Sequence, residues 1–308
     1  EPETTIAFER QARAMLATAA GTSVALDVRD ALLEAEPDLA VVDCMVPAGL
    51  SAAGATGTPA ASLVHFLYGP TRRQLLRDGA WTTDLATVAE THRALGLPPA
   101  PDGLAAWEAP ELLLVAAPRW LDEDVALPDH VVHAGPLGVR RPGAARRERV
   151  LLSFSTTVME GQLAAIQRVL DGVAMDALLT LGPAIERGAL RPPPNVEVVP
   201  FADHDDVLPT CAAVVTHGGL GTVLRALAHG VPQLLLPLGR DQHVNAARVA
   251  QLGAGLVVEP HGDVRASLEA LLGEPGFAAA AARAAARIAA DAPDRRAADA
   301  LERAACAP

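Results

Sequence analysis

Short apolar runs alternate along this chain with longer segments in which apolar positions return every three to four residues, the pattern of strands interleaved with amphipathic helices. Helical spacing covers residues 6–20 and 24–35, the second stopping before Pro37. Residues 38–43 then read as a short strand closed by the acid Asp43, a small-residue helix follows, and Ala60–Val64 reads as a second strand. A long helical region is predicted over 71–95, then a proline-rich loop at 98–103 and two further strands, Leu112–Val115 and 130–134. After a polar, proline-punctuated stretch at 135–147 the pattern restarts with strand 150–154, helix 160–171, strands 175–180 and Val196–Val199, and an apolar run at 212–215. Strands alternating with helices of about ten residues or more predict an α/β fold with parallel sheets.

The restart divides the chain. Residues 1–138 are expected to form one domain, 139–148 a linker, 149–290 a complete doubly wound second domain, and 291–308 a last helix packing back towards the first.

Composition then removes several function classes. With 50% hydrophobic and 20% charged residues the chain falls among soluble globular proteins, and it has no apolar block long enough for a membrane span. Acidic residues outnumber basic ones 37 to 25, so no basic stripe is available to meet a nucleic-acid backbone. Cys44, Cys211 and Cys306 are odd in number and lack CxxC spacing, and the acidic start Glu1-Pro-Glu is unlike a secretory leader; both predict a cytoplasmic protein with reduced thiols. Abundant Ala, Arg, Gly and Pro with almost no Lys suit a high-GC bacterial genome.

The candidate chemistry is concentrated past residue 212. The apolar run drops into Thr216-His-Gly-Gly219, and a helix is predicted over 223–229, directly after Gly221-Thr222. A strand, a glycine turn and a helix start build an anion site: glycines admit a ligand close to the backbone, and the free N–H groups and positive dipole end favour a phosphate. His217 and Thr222 add side-chain donors, enough to occupy a diphosphate. A His217 that became cationic near pH 7 would add a charged hydrogen bond. A second apolar run, 234–237, delivers Asp241 and Gln242 beyond the carboxyl end of a strand, where ligands of open α/β sheets bind. A carboxylate that accepts from hydroxyls, beside a carboxamide that donates and accepts, suits a hexose ring. Together they imply a nucleotide-diphosphate sugar.

Segment 200–258 resembles the donor-binding signature of the inverting GT-B-fold glycosyltransferases that decorate natural products, particularly the actinobacterial enzymes acting on antibiotic and macrolide-type aglycones. The resemblance is carried by Pro200-Phe-Ala-Asp-His-Asp-Asp-Val-Leu-Pro209, His217-Gly-Gly-Leu-Gly-Thr222, Gly230-Val-Pro232, Asp241-Gln242, Asn245-Ala-Ala-Arg-Val249 and Leu252-Gly-Ala-Gly255, in that order. It implies two Rossmann-like doubly wound parallel-sheet domains facing across a cleft, the first taking the acceptor and the second the donor.

The same resemblance implies roles for individual residues. Diphosphate contacts fall on His217, Gly218, Gly219, Gly221 and Thr222, and on Ser155 and Thr156 in the turn after the second domain's first strand, where Ser and Thr would equally serve as helix caps. Asp241 and Gln242 take the sugar. Val199 and Phe201 flank Pro200 where the family binds the base, although Phe201 also reads as a strand-end core residue. Asp43 stands where the family places the acid that orients a general-base histidine, or it caps a turn. His65 lines the acceptor pocket or is a partly buried structural histidine. Family members open with a strand and a Gly-His loop carrying the general base; no such segment precedes Glu1, and at roughly 30 residues per unit about 60–90 residues are expected to be absent from the first domain. Relatives using UDP-sugars carry at the position of Arg225 a Glu that holds both ribose hydroxyls, so Arg225 favours a TDP-sugar, whose ribose lacks the 2′-hydroxyl.

Other readings of the acidic and glycine-rich segments are weaker. Asp122-Glu-Asp124 superficially matches a metal-binding DxD but lies in a loop near Pro128 with no second ligand group at hand, and Asp203-His-Asp-Asp206 fits an exposed turn and helix cap; no metal is expected. Gly219-Leu-Gly221 lacks the third glycine of a dinucleotide fingerprint, Leu224 standing there, and no Walker Gly-Lys-Ser/Thr is present. A GT-B-fold nucleotide-sugar epimerase and a non-catalytic nucleotide-sugar-binding or activator protein stay open as alternatives. The expectation is a metal-independent, inverting hexosyltransferase. It moves a hexose or deoxyhexose from a TDP-sugar to a hydroxyl of an aglycone such as an antibiotic polyketide, acting as a monomer or homodimer.

Overall fold

The computed structural model describes residues 17–78, 85–99, 108–122, 126–140, 148–155, 159–183, 185–259 and 261–306. The chain divides into two compact units, Glu1–Gly135 with Asp294–Pro308, and Pro136–Pro293. Most of the predicted helix 6–20, and part of the loop at 98–103 and of the stretch at 135–147, lie outside the described residues.

In the first unit four parallel strands pair in chain order: β1 (Ala40–Asp43), β2 (Ala60–Val64), β3 (Leu112–Val115) and β4 (Val131–His133). Helix Thr22–Ala35 and the small-residue helix Pro47–Thr56 pack by β1 and β2 around Ala40, Leu50, Ala53 and Ala60. Proline at the start of Pro47–Thr56 forfeits no helical hydrogen bond, and Gly57 ends it in the left-handed conformation at φ 70°. The region predicted as one long helix contains two, Tyr68–Asp78 and Leu85–Leu95; residues 79–84 lie outside the description.

Asp122 corrects an expectation. Its buried carboxylate accepts from the Tyr68 and Gly69 N–H groups at 3.1 and 2.9 Å, completing the start of helix Tyr68–Asp78, and lies 2.8 Å from His133 Nε2. A second ligand-type group is therefore at hand, brought by β4, which local sequence around Pro128 could not reveal. The arrangement is a helix N-terminus held by an acid, favourable to the helix dipole.

The second unit is a six-stranded parallel sheet of β5 (Arg149–Ser153), β6 (Ala177–Thr180), β7 (Val196–Val199), β8 (Cys211–Thr216), β9 (Gln233–Leu235) and β10 (Gly255–Val257). Their order across the sheet is β10-β9-β8-β5-β6-β7. Successive side chains point to opposite faces. Val150, Leu152, Ala177, Leu179, Ala213 and Val215 thus fill one core layer, while Leu151, Leu178 and Val214 fill the other. Both faces are covered, which is why these strands read as continuous apolar runs instead of alternating ones. The chain winds outward from β5 in one direction through β6 and β7, then returns to place β8 on the other side. Ligands of open α/β sheets bind at that reversal, outside the carboxyl ends of β5 and β8.

Candidate functional site

β5 and β8 are direct neighbours with Ser153 opposite Thr216, so Phe154 and Ser155 emerge beside His217 and Gly218. The following helix is Leu220–Ala228, beginning three residues before the predicted start at 223, because its buried apolar face of Leu220, Val223, Leu224 and Leu227 extends back to Leu220. Gly221 and Thr222 therefore lie within the first helical turn. Gly219 is the N-cap and supplies no side-chain hydrogen bond, leaving the first-turn N–H groups directed at the strand ends.

The three glycines have different causes. Gly218 has φ 90°, and a β-carbon there would stand 3.1 Å from the Gln242 carbonyl oxygen; at Gly219 a β-carbon would come within 2.7 Å of His217 Nε2. The protein itself requires both. A β-carbon at Gly221 would meet nothing within 4 Å among the described residues, and its backbone is helical. Neither torsion nor packing calls for glycine there, whereas a ligand approaching the first-turn N–H groups would.

His217 is 7% exposed and stacks on Phe154, ring centroids 6.3 Å apart and planes 26° apart. Burial pushes its pKa down to about 4, against the raising influence of a Ser153 backbone hydrogen bond and the Asp241 charge and with a small lowering contribution from Arg240. The condition of a cationic His217 near pH 7 is therefore not met: in this state the ring is neutral and offers one N–H. Thr222 is partly exposed in the same turn.

Asp241 is the N-cap of helix Gln242–Gln251 but its carboxylate makes no cap bond. One oxygen accepts from Asn245 Nδ2 at 2.9 Å, and the same amide nitrogen donates to the Gly218 carbonyl at 3.0 Å. Asn245 is 1% exposed, and its Oδ1 has no hydrogen-bond partner among the described residues. It ties the candidate sugar acid to the candidate phosphate turn. Sequence reasoning saw Asn245 only as part of a motif; its i,i+4 spacing from Asp241 was the available signal for one of its two bonds.

Gln242 faces inward. Its Oε1 accepts from the Leu238 and Gly239 N–H groups at 2.8 and 3.2 Å, and its Nε2 points at Met159 Sδ at 3.1 Å. A thioether is a weak acceptor, so that last contact is the one a ligand hydroxyl would most readily replace.

Phe201 is 80% exposed, which removes the core alternative for it, while Val199 is half-buried against the second core layer. Ser155 is buried and its carbonyl accepts from Gln162 Nε2 at 2.8 Å; Thr156 lies outside the described residues. Ser153 Oγ sits 3.2 Å from His204 Nε2, a contact the sequence reading missed. Burial lowers the pKa of His204, and the charge of Arg225 adds to the effect.

The acidic run 203–206 is an exposed cap only in part. Asp203 accepts from the Asp205 N–H at 2.9 Å, as expected of a cap. Asp205 is 2% exposed and gathers Arg225 Nη1 at 2.6 Å, His229 Nε2 at 2.8 Å and the Arg140 N–H at 2.9 Å. Burial alone would raise its pKa, yet the Arg140 N–H, His229 and Arg225 hold it below the usual carboxylate range. Arg225 is therefore engaged by a buried acid.

In the first unit Asp43 accepts from the Met45 N–H at 2.8 Å, so it does cap the turn after β1, and its side chain is exposed. Beside it the buried Cys44 thiol has its pKa pushed up to about 12, by burial first and then by the Asp43 charge. His65 follows β2, is exposed, and meets Phe66 edge-on at 5.6 Å, so the partly buried structural alternative does not hold.

Residues 167–303 match the family described as Erythromycin biosynthesis protein CIII-like, C-terminal domain. The elloramycin glycosyltransferase ElmGT of Streptomyces olivaceus is 46% identical over 143 residues, which are 45% of this chain and 37% of that protein. The 3-alpha-mycarosylerythronolide B desosaminyl transferase of Saccharopolyspora erythraea is 29% identical over 285 residues, covering 80% of this chain and 64% of its own. Among solved structures, glycosyltransferase VinC in complex with dTDP superposes with a TM-score of 0.69 at 26% identity, over 96% of this chain and 81% of VinC. Over the matched segment the chain is similar to natural-product glycosyltransferases, and its fold is that of the glycosyltransferase structures it superposes on. It spans less than two thirds of the length of either curated relative. The glycine turn at 217–222, Asp241, Asn245 and Asp205 lie inside the matched segment, and Asp43 and His65 lie outside it.

Proposed function

We propose that the protein binds a TDP-sugar in its second unit and transfers the hexose or deoxyhexose to a hydroxyl of a secondary-metabolite aglycone, such as an antibiotic polyketide, held by the first unit. The reaction inverts the anomeric carbon and needs no metal. The observation that carries this reading is the uncapped start of helix Leu220–Ala228, with open space over Gly221. The acceptor oxygen attacks the anomeric carbon as the sugar–phosphate bond breaks, and the charge growing on the diphosphate is met by first-turn N–H groups, the neutral His217 N–H and the Thr222 hydroxyl. Preorganised donors of this kind stabilise the leaving group most when little rearrangement is needed, and the fixed glycine turn supplies that. A base removes the acceptor proton, and Asp43 orients the imidazole that the family uses for this step.

Asp241 accepts from sugar hydroxyls while Asn245 fixes its rotamer, and the Gln242 amide exchanges Met159 for a hydroxyl. Exposed Phe201 covers the base. Arg225, drawn to Asp205, offers no acceptor for a ribose diol, which favours the donor without a 2′-hydroxyl; VinC, a structural neighbour, was crystallised with dTDP, which supports the same choice. No helix among the described residues is long and apolar enough to cross a membrane. Cys44, Cys211 and Cys306 are thiols, not disulfides, which favours a cytoplasmic enzyme. The test compares TDP with TDP-glucose by calorimetry. Asp241→Ala should weaken TDP-glucose and leave TDP within about twofold, a loss well under 1 kcal/mol; equal weakening of both would refute the sugar role.

A further inference from the structure

Asp43, Cys44 and His65 bring three kinds of metal-ligand atom to the carboxyl ends of two neighbouring strands. β1 and β2 run parallel with Asp43 opposite Leu63, so Cys44 and His65 leave the sheet side by side. The Cys44 N–H donates to the Leu63 carbonyl at 3.1 Å, and the Met45 N–H holds one Asp43 oxygen at 2.8 Å, fixing the turn from which both Asp43 and Cys44 project. The carboxylate oxygen, thiol sulfur and imidazole nitrogen all lie within 4.8 Å of one another, and this is the one such His/Cys/Asp/Glu group among the described residues. Asp43 and His65 are exposed while Cys44 is buried, so a cation arriving from solvent meets oxygen and nitrogen first and sulfur beneath.

We propose that this trio binds a thiophilic divalent cation, with zinc the ion its donor set suits. A tetrahedral zinc with arms of about 2.3 Å to sulfur and about 2.1 Å to nitrogen and oxygen puts its ligand atoms roughly 3.5 Å apart, so side-chain rotations of about 1 Å close the site. Mixed sulfur, nitrogen and oxygen donors select against magnesium and calcium, which take oxygen ligands. Three protein ligands leave a fourth position for water. On binding, the Cys44 S–H bond gives its proton to solvent and the sulfur lone pair forms the bond to the metal. Because Asp43 becomes a ligand, the cation competes with the orienting role proposed for that carboxylate and acts as an inhibitor, not as a cofactor of transfer. The binding step itself rests on neither donor nor acceptor.

The experiment titrates the full chain with cobalt(II), a spectroscopic stand-in for zinc, and reads the sulfur-to-cobalt charge-transfer band. The expected result is a band saturating at one cobalt per chain and displaced by zinc. It should be lost in Cys44→Ser, kept in Cys211→Ser and Cys306→Ser, and reached only at about tenfold higher cobalt in His65→Ala, where an exposed side chain is removed without disturbing the core. Absence of the band in the unaltered protein overturns the proposal, as does its survival in Cys44→Ser or an unchanged cobalt affinity in His65→Ala. TDP affinity measured on the same samples reports the donor site separately, so a failed cobalt titration leaves the transferase reading standing.

Discussion

Replacing Gly221 by alanine should move stability and ligand affinity in opposite directions. The position is helical and a β-carbon there meets nothing within 4 Å among the described residues, so the methyl group costs no contact. Removing glycine's backbone freedom from the unfolded chain should stabilise the protein by about 0.5–1 kcal/mol. For a unit of this size that raises Tm by roughly 1–4 °C. The same methyl stands over the first-turn N–H groups and keeps a diphosphate oxygen from them. Losing one charge-assisted hydrogen bond of about 1.5–3 kcal/mol weakens TDP binding about 10- to 150-fold. Calorimetric titration with TDP and thermal unfolding of the same sample decide the matter. A raised Tm with unchanged TDP affinity would refute the assignment of the diphosphate to this turn, and a lowered Tm would refute the account of open space. Gly219→Ala is the contrast: its methyl would press on His217 at 2.7 Å and should lower stability by about 1–3 kcal/mol.

Three further outcomes follow from the same geometry. His217 has a folded pKa of about 4 against an ordinary 6.5, so the unfolded chain binds the extra proton between those values. Its contribution is complete above pH 6.5 and is lost as pH falls towards 4, on the order of 3 kcal/mol in all; His217→Gln should flatten the stability slope in that window, and an unaltered slope in denaturation curves would contradict the buried neutral ring. Asp205→Asn strips the carboxylate from Arg225 and His229 and should cost about 2–4 kcal/mol in urea unfolding, whereas Asp206→Asn, an exposed partner of Arg140, should cost under about 0.5 kcal/mol. Similar small losses in both would show the buried network to be unimportant. Phe201→Ala removes an exposed ring and should leave stability within about 0.5 kcal/mol while weakening TDP binding by about 0.5–1.5 kcal/mol, read by calorimetry; a stability loss with TDP unaffected would return Phe201 to a packing role.

The central strands were legible because two-sided burial writes itself as apolar runs, whereas the short edge strand β10 (Gly255–Val257) was not expected. The glycine turn after β8 was legible because glycine and a following helix are local. What escaped the sequence depends on partners far along the chain. The neutral state of His217 comes from burial against Phe154, the inward turn of Gln242 from Met159 and the 238–239 backbone, and the hold of Asn245 on Gly218 from a contact across 27 positions. Asp205 looked like one more surface acid in a run of them until Arg225 and His229, one helical turn apart, were seen to converge on it. The helix start at Leu220 was misplaced for a simpler reason: glycines at 219 and 221 suggested a longer turn than the apolar face of the helix allows.

The two hydrogen bonds donated by Asn245 Nδ2 bear on how segments can be transplanted between related chains. A chimera that imports the loop and helix 239–251 from a relative, but keeps its own turn at 216–219, must still satisfy one amide nitrogen shared between a carbonyl of the first segment and a carboxylate of the second. The two segments are a single exchange unit, and crossover points for recombination belong outside both.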